Sequence, residues 1–401
     1  MDTPHQVHHR LIVLGILFAA IPAAAKDIRF VPHRIGHFRS EACGVADFNN
    51  DGKLDMVAGP YWYEAPDWTP HLFRSPEGKT DEKGKTYKVK ENGTGYWDDF
   101  MNVPLDVDGD GLTDVVTCSW FSRQIDWYRN TGSNGGLWPM ILGEKNGNYE
   151  CGEIWDIDGD GKALEILPDT KDTKWHEAGV KADGTRGLIK HTVSSDERPF
   201  GGGVGDVNGD GRPDILRPDA WYEAPSDPRK GAWIKHPLAV GSLTEGQADH
   251  TPQILVYDVD ADGLNDIVTS SAHKYGIFWY KQLKDLSWKQ NIIDKSWSQA
   301  HSLTLADMDE DGDLDLVTGK RFFAHNGNDP GGHAPLGVYW YELNRSPSIS
   351  WTRHTVSYDQ GIGSGLNIPV VDLDGDGDLD IVVTGKWGGP AYFENMTKSN
   401  K

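Results

Sequence analysis

The chain has 401 residues, with 61 acidic against 39 basic side chains and a formal net charge of −22. Such a charge repels phosphate and excludes a nucleic-acid partner, and after residue 25 no apolar run approaches the roughly 20 residues of a membrane-spanning helix. Cys43, Cys118 and Cys151 are far apart without CxxC spacing; they indicate neither a zinc clip nor a disulfide framework and read as buried small hydrophobes, with one bridge left open.

Residues 1–25 stand apart: a histidine-rich start ending at Arg10, an apolar run from Leu11 to Ile21, then Pro22-Ala23-Ala24-Ala25. This is the layout of a secretory signal peptide cleaved after Ala25. The mature protein is therefore expected to be exported, periplasmic or extracellular, and to begin near Lys26.

From there one unit recurs, D-x-[DN]-x-D-G-x-x-D. It opens at Asp47, Asp106, Asp206, Asp258, Asp307 and Asp372, and a seventh copy from Asp156 carries one extra residue and ends at Glu165. The starts are 59, 50, 50, 52, 49 and 65 residues apart, the period of a four-stranded propeller blade. A short apolar strand enters each box and a second leaves it, as GVADF and LDMVAG do around Asp47. An aromatic third strand follows, such as Tyr61-Trp62-Tyr63-Glu64, and then an outer strand of pattern W-x-x-H, from Trp68, Trp233 and Trp351. These are strand signals.

The last copy ends after Ala391-Tyr392-Phe393-Glu394 without an outer strand, while Ile28 to Ile35 resembles one. Pairing the two ends closes a ring and removes its open edges. The expected fold is all-β, a seven-bladed propeller of four-stranded blades over residues 27–395, with 396–401 as a tail.

Calcium takes six to eight hard oxygen ligands, and acids at positions 1, 3, 5 and 9 of a tight loop can converge on one ion. The ligand sets so predicted are Asp47, Asn49, Asp51 and Asp55; Asp106, Asp108, Asp110 and Asp114; Asp156, Asp158, Asp160 and Glu165; Asp206, Asn208, Asp210 and Asp214; Asp258, Asp260, Asp262 and Asp266; Asp307, Asp309, Asp311 and Asp315; and Asp372, Asp374, Asp376 and Asp380. Position 12 of the first box is Ala58 in a β-rich run, which excludes an EF-hand. Seven divalent ions carry 14 positive charges and would bring −22 to −8, so their removal should destabilise the fold.

These boxes and their flanking strands resemble the FG-GAP, or VCBS-repeat, proteins, which include the N-terminal propeller of integrin α chains and many exported bacterial propellers. The resemblance implies the propeller and its calcium, and leaves activity open.

If each box joins strands one and two, the remaining loops gather on the opposite face. Collected there are Trp97, Asp98, Asp99, Trp120, Arg123, Tyr149, Glu150, Lys171, Arg198, Arg217, His250, His273, Lys274, His301, Lys320, Arg321, His325, His333, Lys386 and Trp387. The longest connections, Arg74 to Met101 and Arg321 to Pro335, also lie there, and long loops on a rigid scaffold favour function. His250, His273 and His301 could converge near the axis and hold zinc or another divalent ion. Alternatively a histidine serves as base while Arg321, Lys320 or Lys386 neutralises an anion. Trp97, Trp120 and Trp387, with Asp98, Arg217, His325 and Lys386, would suit a carbohydrate or other small polar or anionic ligand. The recurring His71, His191, His236 and His354 read as structural members of outer strands.

The stretch from Ser271 to Tyr341, with SAHKYGIFWY, QAHSLTLADMDEDGDLDLVTGKRFFAHNGNDPGG and GVYWYE, is also similar to the propeller part of fungal aldos-2-ulose dehydratase, through His273 and His301. That resemblance implies β-elimination on a sugar and a zinc ion beside structural divalent ions; the cupin domains of that family are absent. Two functions stay open: a carbohydrate-active lyase or dehydratase, and a non-catalytic glycan- or protein-binding propeller, lectin-like or integrin-like. The loops differ from blade to blade, which points to one central site and leans toward the enzyme.

Overall fold

A computed structural model describes residues 28–133 and 135–398. The expected signal peptide lies outside the described residues. Seven antiparallel sheets of four strands each stand around a central axis.

Blade 1 runs through Cys43–Ala46, Asp55–Ala58, Tyr61–Glu64 and Thr69–Leu72; blade 2 through Val103–Leu105, Asp114–Cys118, Gln124–Tyr128 and Met140–Lys145. Blade 3 comprises Gly152–Trp155, Glu165–Pro168, Thr173–Val180 and Arg186–Ser194, and blade 4 Gly203–Gly205, Asp214–Arg217, Ala220–Glu223 and Ile234–Pro237. Blade 5 is Leu255–Tyr257, Asp266–Ser270, Tyr275–Gln282 and Trp288–Ser298, and blade 6 Ala300–Ala306, Asp315–Lys320, Gly337–Asn344 and Ser350–Tyr358. Blade 7 takes Val370–Val371, Asp380–Val383 and Gly389–Asn395 from the end of the chain and Phe30–Phe38 from its beginning. The ends pair antiparallel, Phe30 opposite Asn395 and Arg34 opposite Ala391, so hydrogen bonds close the ring.

Burial follows position in the blade. Second strands such as Asp114–Cys118 and Asp266–Ser270 are buried throughout, because a neighbouring blade covers each face. They therefore read as continuous Val/Ile runs instead of alternating ones. Third strands carry the large rings, with Trp62, Trp127, Trp175, Trp221 and Trp340 all buried, and outer strands alternate with solvent. All three cysteines are buried and free. Met396 N–H donates to Arg29 O at 2.9 Å and Lys398 N–H to Asp378 at 2.7 Å, so the first residues of the expected tail dock on the ring.

Every box joins the first strand of its blade to the second, which puts all seven on one face. Near the axis Gln253 ties four blades together: it donates to Glu153 at 3.0 Å and Leu366 O at 3.1 Å and accepts from Leu303 N–H at 2.9 Å. Below it lies an axial cavity of about 480 Å³ lined mostly by inner strands; the other loops gather at the opposite mouth.

Candidate functional site

The boxes are built alike. Their sixth-position glycines, Gly52 to Gly377, all have φ between +83° and +95°, a region where a Cβ costs roughly 1–2 kcal/mol. The first aspartate accepts N–H from that glycine, at 2.8 Å for Asp47 with Gly52 and 3.0 Å for Asp106 with Gly111. The ninth-position acid sits deeper: Asp114 accepts from Val107 N–H at 3.0 Å and from Asn130 N–H at 2.7 Å. Burial raises these carboxyls to about 6 in Asp55, Asp214 and Asp266, about 7 in Asp114, Glu165 and Asp380, and about 8 in Asp315. In the irregular box Glu165 accepts from Ile157 N–H at 3.0 Å, as the aspartates do. Its longer side chain absorbs the insertion, and Leu164 turns to solvent.

The loops fit a divalent cation. Carboxylate oxygens of Asp106, Asp108 and Asp114 lie within 4.8 Å of one another, as do those of Asp156, Asp158 and Asp160 and of Asp258, Asp260 and Asp262. Asp108 Oδ1, Asp260 Oδ1 and Asp376 Oδ2 are buried without a hydrogen-bond partner. A bound ion would satisfy such oxygens, which otherwise carry a desolvation cost.

At the other mouth, residues from four blades meet. Glu150, just before blade 3, has Oε1 3.0 Å from Arg321 Nη1, 3.4 Å from His301 Nε2 and 3.6 Å from His273 Nε2. Arg321 also donates to Glu41, Nε to Oε1 at 2.7 Å. His273 Nδ1 lies 3.3 Å from Asp329 Oδ2, and His325 Nδ1 2.9 Å from Asp329 Oδ1. Glu150, His273 and His301 place one donor atom each within 4.8 Å of one another, and so do His273, His325 and Asp329. Both ring nitrogens of His301 are buried and lack a hydrogen bond.

The charges are sharply divided. Burial and the nearby Arg321 lower His301 to about 4, leaving it neutral. Burial alone would raise Glu150, but His301, His273 and Arg321 outweigh it and hold the carboxyl well below its usual range. The hydrogen bond to Asp329 raises His325, and burial lowers Lys320 and Lys386 to about 8 each.

The expected trio is therefore rearranged. His273 and His301 meet, but Glu150 takes the third place. His250 stands one shell back, its ring 6.1 Å from that of His273 and its Nδ1 accepting Phe200 N–H at 3.0 Å. Arg321 is committed to two carboxylates, and Lys320 donates to Ser298 and Gln299; neither is free to meet a substrate anion. Lys386 donates to Phe323 O at 2.6 Å, under Tyr96.

Several residues expected to bind ligand are instead buried in the scaffold. Asp98 accepts Phe121 and Ser122 N–H, Arg217 is fully buried against Thr170 O and Pro199 O, and Trp97 lies between Arg74 and Phe38. Trp387 is covered by Arg34. Trp120 is half-buried beside Phe200, and His325 is exposed. Glu41 and Asp329 were missed from the sequence, and Glu150 was collected on this face without a role. A usable signal was register, since Glu41 and Glu150 both stand two residues before the first strand of their blades.

The FG-GAP-like repeat family matches residues 106–167 and 258–318. No curated protein matches the chain in sequence. Among solved structures, one described as the basis of specific recognition of non-reducing terminal N-acetylglucosamine by an Agrocybe aegerita lectin is similar at 15% identity and TM-score 0.46, covering 90% of this chain and 86% of that one. The chain is thus a seven-bladed β-propeller carrying FG-GAP-like repeats.

Proposed function

We propose that this propeller is an exported calcium-binding protein with one carbohydrate-active centre, of lyase or dehydratase type, at the loop mouth. The observation that carries the centre is the cluster of Glu150, His273 and His301, with ionised Glu150 facing a buried neutral histidine. Two imidazoles and a carboxylate are a ligand set for zinc or a related divalent ion. Such an ion would polarise a sugar carbonyl and acidify the neighbouring C–H.

The other side chains divide the remaining work. Arg321 and Glu41 position Glu150. His325, exposed and held toward its protonated form by Asp329, is placed to hand a proton to a departing hydroxyl. His250 accepts through Nδ1, which puts its proton on Nε2 as a donor for a sugar hydroxyl. Half-buried Trp120 offers an apolar face to a pyranose ring. In the absence of an ion, His273, between Asp329 and Glu150, is the group placed to act as base.

Metal analysis of the calcium-saturated protein, with Glu150→Ala and His301→Ala beside it, tests the centre. One non-calcium ion per chain, lost in both variants, supports the metal-assisted reading, and no such ion leaves His273 as base. Keto-sugars and uronate oligosaccharides should give an ultraviolet-absorbing unsaturated product that the His273→Ala variant does not form. Glycan binding without any product would favour the non-catalytic propeller.

A further inference from the structure

In six blades one side chain faces its own box from the residue just before the backbone N–H that binds the ninth-position carboxylate, and in blade 3 Glu177 stands directly opposite Glu165 in the ladder. In blades 1, 3, 4, 6 and 7 it is a glutamate: Glu64, Glu177, Glu223, Glu342 and Glu394. Each glutamate holds an outer-strand histidine at 2.6–2.9 Å. That histidine lies against the aromatic ring two residues before the glutamate, with centroids 4.0–4.6 Å apart. In blade 1 the glutamate also touches the loop, accepting from Asn49 Nδ2 at 3.0 Å.

Blades 2 and 5 depart from this together. They keep the tryptophan, but the residue opposite is Ile141 or Asn291 instead of histidine, and the glutamate becomes Arg129 or Lys281. Arg129 Nε lies 2.5 Å from Asp108 Oδ2 and its Nη2 3.2 Å from Asp110. Lys281 pairs with Asp260 and, at 2.8 Å, with Asp262. These acids fill the third and fifth positions of the two boxes. The other oxygens of Asp108 and Asp260 remain buried and unpartnered, so the loop still has donors to offer.

We infer that the seven loops form two affinity classes: five strong sites beside a glutamate–histidine pair, and two weaker ones in blades 2 and 5 that Arg129 and Lys281 partly neutralise. This rests on the calcium reading above. Exchanging a glutamate for a cation changes the local charge by two, and charge count is what sets the affinity of oxygen-ligand calcium loops. Arg229 and Arg212 also approach the boxes of blades 3 and 4, but there Glu177 and Glu223 share the arginine. Lys53, Lys162 and Arg345 also meet a box acid, but in blades that keep their glutamate; among the described residues, Arg129 and Lys281 are the cations that stand in the glutamate's own place. A cation in place also repels the incoming ion, so occupancy of these two loops requires the side chain to give up its pairs.

Equilibrium dialysis against graded free calcium, read by metal analysis, tests this on the wild-type protein. Five ions per chain should bind first and two more only at higher calcium. Arg129→Gln combined with Lys281→Gln should move those two to roughly tenfold lower free calcium; both side chains reach solvent, so the change is compatible with folding. Seven equivalent ions, or two late ions unmoved by the double variant, would overturn the inference and leave calcium binding intact. No calcium at any concentration would instead defeat the calcium reading itself.

Discussion

The two faces of the disc use charge in opposite ways. On the box face, acids recur with nearly one spacing in every blade; the first-position carboxylates are half-buried and most of the fifth-position ones exposed. At the loop mouth, Glu41 and Glu150 share the buried Arg321, with His301 packed beside them, from three different blades. Repetition therefore produces an acidic excess that a bound cation would offset, whereas convergence pairs carboxylates with a buried arginine of the chain itself. Calcium removal that is reversed by calcium alone should report on the first face, and single substitutions on the second.

The largest effect should come from chelation. On the calcium reading, each occupied loop would contribute about 1.4–2.7 kcal/mol when free calcium stands about 10–100-fold above its dissociation constant, and the loops act on one closed ring. EGTA should lower the melting temperature by more than about 10 °C, and added calcium should restore it. An unchanged melting curve would mean that the box acids are tolerated without an ion.

Next comes Arg321→Met. It strands Glu41 and Glu150 in a buried site without their shared counter-charge, which should cost about 3–5 kcal/mol. Chemical denaturation measures it, and a loss below about 1 kcal/mol would show that the cluster relaxes without the arginine. Calcium stoichiometry should stay at its wild-type value, separating this loss from failure of the other face.

The contrast also explains what could be read from the sequence. The blades, their number and the closure by Phe30–Phe38 were legible because box spacing and strand alternation repeat locally. The copy from Asp156 carries a one-residue insertion, and Glu165 was legible as its last acid because a longer side chain reaches the equivalent backbone N–H. The mouth was legible only as an inventory. His273, His301 and Arg321 were chosen correctly as neighbours, but Glu150 was passed over for His250 because the third member was sought among imidazoles. Trp97, Asp98 and Arg217, expected as ligand contacts, are buried, because loop residues on this face also serve as packing between blades and nothing local to them distinguishes the two uses.

A smaller effect tests whether the boxes tolerate distortion singly. Gly161→Ala places a Cβ at φ +87° with open space around it, so the cost is backbone strain of about 1–2 kcal/mol. The variant should melt slightly lower and bind one calcium ion more weakly, with the metal content of the mouth unchanged. An effect on both faces would show that they are coupled through blade 3.

The smallest effect concerns Lys386, whose amine burial lowers to about 8 from 10.5. Between those values the unfolded chain binds more protons than the folded one, so stability from this group rises with pH across that window. At neutral pH the protonated amine is held against its preference by Phe323 O and the face of Tyr96. Lys386→Met removes an amine for which burial outweighs its hydrogen bond, so stability at pH 7 should hold or rise. The slope is the informative quantity: denaturation midpoints at pH 7 and pH 10 should lie closer together in the variant than in the wild type. Equal slopes would mean that Lys386 titrates as a solvated amine, and that the loop mouth is wetter than its packed side chains imply.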